Sequence, residues 1–182
     1  MFRKATVEDI ERIEEIYNEI HTENEAGRMT TGWIRGVYPS GETARASVRC
    51  GDMFVEEADG RVVAAARINQ EQVPEYAEAD WQYKVPEDQV MVLHTLVVSP
   101  GERGKGYGTR FVDYYENYAL EHGCHYLRMD TNQHNSSARA LYRKLGYQEV
   151  SVVPCKFNGI PDVGLVCLEK KLEEKAYGNH LS

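Results

Sequence analysis

The feature that most constrains the fold is an apolar segment that runs directly into a glycine-rich, basic turn and then into a helix. Residues 89–98, QVMVLHTLVV, are almost all apolar and rich in β-branched side chains, which is typical of a strand buried on both faces. Residues 99–111, SPGERGKGYGTRF, follow with four glycines, two arginines and a lysine. Residues 106–122 then carry aromatic side chains at helical spacing. This order predicts a βαβ-like core.

The turn between that strand and that helix is suited to an anionic ligand. The first N–H groups of a helix lack partners within it and lie at the positive end of its dipole. Arg103, Lys105 and Arg110 add positive charge to a chain of formal net charge -8. The spacing fits neither a Walker A loop, which would need glycine at Ser99, nor the G-x-G-x-x-G motif, whose third glycine would fall on Thr109. The turn alone therefore leaves a phosphate site and a ligand-free turn equally open.

The rest of the chain predicts a single mixed α/β domain with the order β-α-α-β-β-β-α-β-α-β-β. Thr6 and Asp9 indicate the capped start of a helix over residues 7–26, and Asp59-Gly60 indicates a hairpin turn. Residues 27–41 and 69–88 are rich in turn-forming or polar residues, which predicts a loop and an excursion over the surface. Gly146 is placed to end the last helix, ahead of a final strand pair.

Composition excludes several classes of function. The acidic charge balance argues against broad nucleic-acid binding and against adhesion to anionic membranes. No segment approaches the roughly 20 apolar residues of a membrane span, and the first residues lack a signal-peptide core, so we expect a cytoplasmic protein. The four cysteines are widely spaced without a CxxC pair, which predicts reduced thiols and no metal site.

A second motif decides between the two interpretations of the turn. Residues 135–147, NSSARALYRKLGY, follow the glycine-rich turn by about thirty residues. Together with residues 96–109, they resemble the acetyl-CoA-binding motifs of the GCN5-related N-acetyltransferase (GNAT) superfamily. The likeness is sharpest over residues 92–150, and the N-terminal part matches only in element order. The resemblance implies an α/β (α+β) GNAT-like domain over residues 1–182, with a mixed central sheet whose strands splay and are flanked by helices.

The resemblance also assigns parts of that domain to parts of the reaction. Residues 90–150 would form the CoA-binding core, residues 27–40 and 153–163 the acceptor side, and residues 173–182 a frayed tail. The amides of residues 104–109 would hold the CoA diphosphate, and the end of the buried strand would pair with the pantetheine arm. The residues implied to bind acetyl-CoA are Leu96, Val97, Val98, Arg103, Gly104, Lys105, Gly106, Tyr107, Gly108, Thr109 and Asn135.

Tyr142 and His94 are the catalytic residues that this interpretation suggests. Tyr142 matches the tyrosine beside the thioester sulfur, where a phenol of pKa about 10 could protonate the departing thiolate. An aromatic side chain at helical spacing from Ala138 and Leu145 is otherwise typical of a core. His94 interrupts the apolar strand and could act as a base, often through water in relatives, or could be a buried structural histidine. Carboxylates of the first helix or of residues 75–80 remain alternative bases.

The expected reaction is transfer of an acetyl group from acetyl-CoA to a primary amine. Trp33 and Tyr38 are large aromatic residues in the loop on the acceptor side, and they would contact a small cationic or amphipathic amine. The alternatives are a noncatalytic acetyl-CoA sensor, an interaction module built on these two aromatics, or an acetyltransferase for protein N-termini or lysines. Relatives are commonly dimers, so a homodimer is a further expectation.

Overall fold

The strands and helices follow the order that the sequence predicts. A computed structural model describes residues 1–174, so most of the expected frayed tail lies outside the described residues. The elements are β1 (Phe2–Lys4), α1 (Ile10–Glu25), α2 (Gly41–Cys50), β2 (Met53–Ala58), β3 (Arg61–Asn69), β4 (Val90–Val98), α3 (Tyr107–Glu121), β5 (Tyr126–Asn132), α4 (Ser136–Lys144), β6 (Gln148–Phe157) and β7 (Ile160–Lys171). Short 3-10 turns cover Val7–Asp9, Pro74–Glu78, Glu87–Gln89 and Pro100–Glu102.

Local sequence signals explain several of these boundaries. The Asp9 carboxylate accepts the Thr6 backbone N–H at 2.7 Å, which completes a capping box before a 3-10 turn and α1. Asp59 and Gly60 have φ of 51° and 74°, as a two-residue hairpin turn with two left-handed positions requires. Gly146 follows α4 with φ of 91°, where glycine carries no steric penalty. The predicted helix starts, hairpin and helix end are confirmed.

One seven-stranded mixed sheet runs through the described chain. Its strand order is β1-β2-β3-β4-β5-β7-β6, and β4 and β5 form the one parallel pair within residues 1–174. The parallel pair is linked by α3, which is the crossover that the strand–turn–helix pattern indicates. None of the helices in the described range is long and apolar enough to cross a membrane.

The parallel pair splays apart at its carboxyl end. β4 and β5 pair only from Val90 to Leu93 and from Tyr126 to Met129. Beyond that point Thr95 and Leu96 both stand opposite Ala66 of β3, and Thr95 has φ of 52°. An extra residue of this kind is a β-bulge, which bends its strand and redirects its side chains. The bulge accompanies the departure of β4 from β5, and a gap opens between the two strands.

Helices and the segment of residues 69–88 cover the two faces of the sheet. α3 and α4 pack on one face, whereas α1 and α2 cover the N-terminal half of the other. The expectation that residues 69–88 only pass over the surface is wrong, because Tyr76 and Trp81 are 2% and 8% exposed and pack against Val90, Val92 and Leu165. Two large aromatics in a polar segment were the available signal for this third part of the core.

Candidate active site

A cavity of about 530 Å³ occupies the gap between β4 and β5. Its size is in the range of small-molecule sites, and it extends from the start of α3 to the loop of residues 27–40 and the β6–β7 turn. The expected site residues that line it are Trp33, Tyr38, Leu96, Val97, Val98, Arg103, Gly108, Asn135 and Tyr142. The expected site residues outside the lining are His94, Gly104, Lys105, Gly106, Tyr107 and Thr109. The structure thus brings together residues from both motifs and from the acceptor side.

The start of α3 offers backbone donors rather than a capped helix end. Gly106 is the N-cap residue with φ of 81°, and no side chain in the described part of the chain caps the helix there. Gly104 shares this φ, and a Cβ on either glycine would meet nothing within 4 Å. The glycines are therefore needed for backbone conformation, and the space beside them is open. At Gly108 a Cβ would lie 3.3 Å from Leu141 Cδ2, so glycine there lets α4 pack closely.

The basic side chains of the turn are paired with carboxylates, two from other elements and one from the turn itself. The pairs are Arg103–Glu23, Lys105–Glu102 and Arg110–Glu56, with N–O distances of 3.8, 2.6 and 2.7 Å. Glu56 is 2% exposed, so Arg110 is needed to balance the charge of a buried carboxylate. This pairing reduces the positive charge that the sequence alone indicates. The first-turn N–H groups of α3 are consequently the main anion donors that the turn presents.

Tyr142 faces the cavity and belongs to the core at the same time. Its side chain is 7% exposed, and its ring lies edge-on to Tyr147 with centroids 6.1 Å apart. Within residues 1–174 its hydroxyl forms no hydrogen bond, although the residue lines the cavity. Burial, and secondly the charge of Asp130, raise the pKa of Tyr142. The phenol therefore keeps its proton at neutral pH and has a free donor.

Asn135 has a structural task at the start of α4. It is the N-cap residue of α4, and its Oδ1 accepts the Ala138 N–H at 3.3 Å. It lines the cavity as well. Its amide nitrogen is the part of this side chain that remains for a ligand.

His94 lies apart from the cavity, in a polar cluster on the neighbouring strands. Its Nε2 lies 2.8 Å from Asn69 Oδ1, which also accepts the Glu71 N–H, so the imidazole is the donor. Asn69 and Arg67 both donate to Asp52 at 2.8 Å. Burial, followed by the charge of Arg67, lowers the pKa of His94 to about 4. A neutral imidazole held in this cluster does not line the cavity, so its placement does not support the expected base role.

The acceptor side of the cavity is walled by aromatic and aliphatic side chains. The rings of Trp33 and Tyr38 lie edge-on, with centroids 6.3 Å apart. The Tyr38 hydroxyl is hydrogen-bonded to the hydroxyl of Thr95, which ties the loop of residues 27–40 to the bulge of β4. Burial raises the pKa of Tyr38, so this phenol is neutral. Phe157 and Ile160, at the β6–β7 turn, complete the wall.

Asp130 is the functional candidate that the sequence analysis missed. Among the described residues that line the cavity, it carries the one carboxylate. The Tyr76 hydroxyl donates to Asp130 Oδ2 at 2.6 Å, whereas Oδ1 accepts no hydrogen bond from residues 1–174. Burial raises the pKa of Asp130 to about 6. The available signal was an acidic residue near the end of a strand, directly after the alternating apolar residues Leu127 and Met129.

Comparisons with known proteins agree on one family. A model described as the acetyltransferase (GNAT) family matches residues 10–147. The uncharacterized N-acetyltransferase YhfO of Bacillus subtilis (strain 168) is 38% identical over 60 residues, which is 33% of this chain and 40% of that protein. The uncharacterized N-acetyltransferase MJ1207 of Methanocaldococcus jannaschii is 28% identical over 42% of this chain and 34% of its own. The matched segments thus span well under two thirds of these relatives.

Solved structures show the same fold at low identity. An acetyltransferase of the GNAT family from Streptococcus agalactiae has a TM-score of 0.80 at 21% identity, with 96% of both chains covered. The protein yncA from Salmonella typhimurium, solved with its cofactor acetyl-CoA, has a TM-score of 0.67 at 20% identity and covers 100% of this chain and 98% of its own.

Proposed function

Because the chain belongs to the acetyltransferase (GNAT) family, we propose that it is an enzyme that transfers the acetyl group of acetyl-CoA to a primary amine of a small molecule. One observation carries the proposal. A single cavity connects the uncapped start of α3, at Gly108, with the aromatic wall at Trp33 and Tyr38. Such a cavity can hold a phosphate-bearing thioester at one end and an acceptor at the other.

The residues at the start of α3 fit the diphosphate of acetyl-CoA. Gly104 and Gly106 hold the turn in a left-handed conformation, with open space where side chains would stand. Each contact between a phosphate and a helix start contributes roughly 0.3–1 kcal/mol when exposed, and up to about 2 kcal/mol when partly buried. Leu96, Val97 and Val98 line the gap that would receive the thioester arm, because β4 no longer pairs with β5 there.

Transfer to an amine needs little covalent chemistry from the protein. The neutral amine nitrogen forms a bond to the thioester carbonyl carbon, and the carbonyl electron pair moves to oxygen. Return of that pair breaks the carbon–sulfur bond. Tyr142 donates its hydroxyl proton to the departing sulfur, and its phenolate takes a proton from the new amide nitrogen through water. The products are an amide and a thiol, and Tyr142 regains its proton.

A thermal-shift assay combined with thiol release tests this proposal. Acetyl-CoA should stabilise the purified full chain, by about 2.7 kcal/mol at a concentration of one hundred times Kd. The acetyl thioester of N-acetylcysteamine is the matched control, since it lacks the diphosphate and should give no shift. A panel of amines should then release free thiol. Failure of millimolar acetyl-CoA to stabilise the chain would refute the proposal, and stabilisation without turnover of any amine would favour the sensor instead.

A further inference from the structure

We propose that Asp130 binds the ammonium group of the acceptor and takes its proton before attack, and that the acceptor is a monocationic primary amine on an apolar body. The inference rests on the proposed function and deepens it. Neither the glycine-rich turn nor the α4 motif assigns a residue to this task.

The position of Asp130 follows from the geometry of β5. Leu127 and Met129 point to the face that α3 covers, which turns Arg128 and Asp130 to the opposite face. Met129 is the last β5 residue paired with β4, so Asp130 stands where the two strands begin to separate. Its carboxylate thus faces the gap.

A buried support holds this carboxylate in place. Tyr76 is 2% exposed and donates to Oδ2 at 2.6 Å, and its own carbonyl accepts the Trp81 Nε1–H at 2.8 Å. The Tyr76 and Trp81 rings pack at a centroid distance of 5.1 Å. One carboxylate oxygen is therefore fixed by the fold. The other, Oδ1, accepts nothing from residues 1–174 and is available to a ligand.

Within residues 1–174, the groups that interact with Asp130 are neutral or acidic. They come from the 3-10 turn before β4, the loop of residues 27–40, α4, β6 and β7, and they are Glu75, Tyr76, Tyr38, Tyr142, Cys155 and Cys167. A partly desolvated carboxylate that has no cationic partner among the described residues is unfavourable, and an incoming ammonium would supply the missing charge. Burial, which raises the pKa of Asp130 to about 6, also makes it a better proton acceptor than an ordinary carboxylate.

The proton balance is complete with this assignment. One ammonium proton moves to Asp130, which leaves a neutral amine beside the thioester. After attack, the second nitrogen proton replaces the one that Tyr142 gave to sulfur. The Asp130 proton leaves to solvent with the products, so that one proton is released for each acetyl group transferred.

The walls and charges of the cavity favour one kind of acceptor. Trp33, Phe157 and Ile160 offer apolar surface next to the single carboxylate. The two cationic side chains that line the cavity, Arg28 and Arg103, both contact Glu23. Among the described residues of the lining, a carboxylate on the acceptor would thus find no free cation and would face Asp130, and a second ammonium would find no second carboxylate. We therefore expect preference over α-amino acids and over polyamines.

Kinetics with matched amines and variants test the inference. The probes are 2-phenylethylamine, phenylalanine, which adds a carboxylate, and spermidine, which adds ammonium groups. kcat/KM should be at least tenfold higher for 2-phenylethylamine than for the other two. For the native chain, kcat/KM should rise with pH through about 6, because only the ionised carboxylate can bind the ammonium and accept its proton.

Three variants separate a chemical role from a structural one. Asp130→Asn should lower kcat/KM at least 100-fold and abolish the rise of kcat/KM near pH 6. Its thermal shift with acetyl-CoA should stay unchanged. Tyr76→Phe should move this rise in kcat/KM to higher pH, because the Tyr76 hydrogen bond lowers the pKa of Asp130 and its loss would raise that pKa. Glu78→Gln removes an exposed charge from the same segment and should change neither kcat/KM nor its pH dependence.

Each failure has a distinct meaning. The role of Asp130 would be refuted if Asp130→Asn kept kcat/KM within threefold of native and still showed the rise of kcat/KM near pH 6. If that variant does not fold, the role of Asp130 would be refuted by a Tyr76→Phe variant whose kcat/KM rises at the same pH as in the native chain. Preference for phenylalanine or spermidine would refute the acceptor class, as would turnover of other amines but not of 2-phenylethylamine. Absence of the acetyl-CoA shift in the native chain would instead refute the proposed function.

Discussion

Replacement of Tyr142 by phenylalanine should stop protonation of the departing thiolate and leave the fold intact. The hydroxyl forms no hydrogen bond within residues 1–174, so its removal breaks none. The ring keeps its edge-on contact with Tyr147, 6.1 Å away. The free energy of unfolding should therefore change by less than about 0.5 kcal/mol, as for substitutions that disturb no specific interaction.

The expected effect on the reaction is much larger. A positioned general acid contributes about 100- to 10,000-fold to a rate, which is roughly 2.7–5.5 kcal/mol of activation free energy. Thiol release at saturating acetyl-CoA and amine would measure kcat, and thermal unfolding with and without acetyl-CoA would measure stability and binding. We expect a loss of kcat in this range with an unchanged thermal shift.

Tyr147→Phe is the matched control. It removes a hydroxyl that donates to Glu116 at 3.0 Å, next to the same ring. A hydrogen bond to a charged group contributes about 1.5–3 kcal/mol, so this variant should be less stable, yet kcat should not change. Retention of kcat within threefold by Tyr142→Phe would refute the general-acid role and leave Tyr142 as a core aromatic.

Two further predictions concern Asp130 and His94. Burial raises the pKa of Asp130 to about 6, so ionisation opposes folding as pH rises from the unfolded value of about 3.9 through 6. Asp130→Asn should therefore increase the free energy of unfolding by an amount that grows between pH 4 and pH 8 to about 2–3 kcal/mol, measured by urea unfolding; an increment independent of pH would contradict this. His94→Asn should leave kcat/KM and its pH profile unchanged, because His94 lies outside the cavity and is neutral. A tenfold loss at native stability would restore His94 as a candidate base.

Local sequence signals were sufficient for the elements that carry the glycine-rich turn. Glycine positions, capping residues and hydrophobic periodicity act over a few residues, and they predicted the start of α3 at Gly106 and the turn at Asp59. His94 shows where such signals fail. Strand alternation places residues 94 and 96 on one face, but the bulge adds a residue, so that Leu93 and Leu96 share a face and His94 points away. Thr95, at the bulge, is a residue type that rarely adopts a positive φ, and nothing in the sequence marks it.

Contacts between distant segments could not be predicted from the sequence either. Tyr76 and Asp130 are 54 positions apart, and their hydrogen bond depends on how an irregular segment folds over the sheet. The carboxylates that neutralise Arg103 and Arg110 come from α1 and β2. A charge count along the chain treats neighbours in sequence as neighbours in space, and here it overestimated the positive charge of the turn.

The groups that face the cavity oppose folding, which is a physical reason to assign them to chemistry. Asp130 is a half-buried carboxylate without a cationic partner among residues 1–174, and its raised pKa of about 6 corresponds to a cost of about 2–3 kcal/mol for ionisation at neutral pH. Thr95 holds a backbone conformation that costs on the order of 1–3 kcal/mol. The Tyr142 hydroxyl has no partner in the described chain. Asparagine at position 130 and phenylalanine at position 142 would remove the charge and the unpaired hydroxyl and keep the shape of each side chain. Glycine at position 95 would relieve the backbone cost but would lose the hydrogen bond to Tyr38. These three unfavourable features share one cavity beside an uncapped helix start. One explanation covers all three: Asp130 binds an ammonium, Thr95 allows β4 to bend away from β5, and Tyr142 keeps a proton for the leaving thiolate.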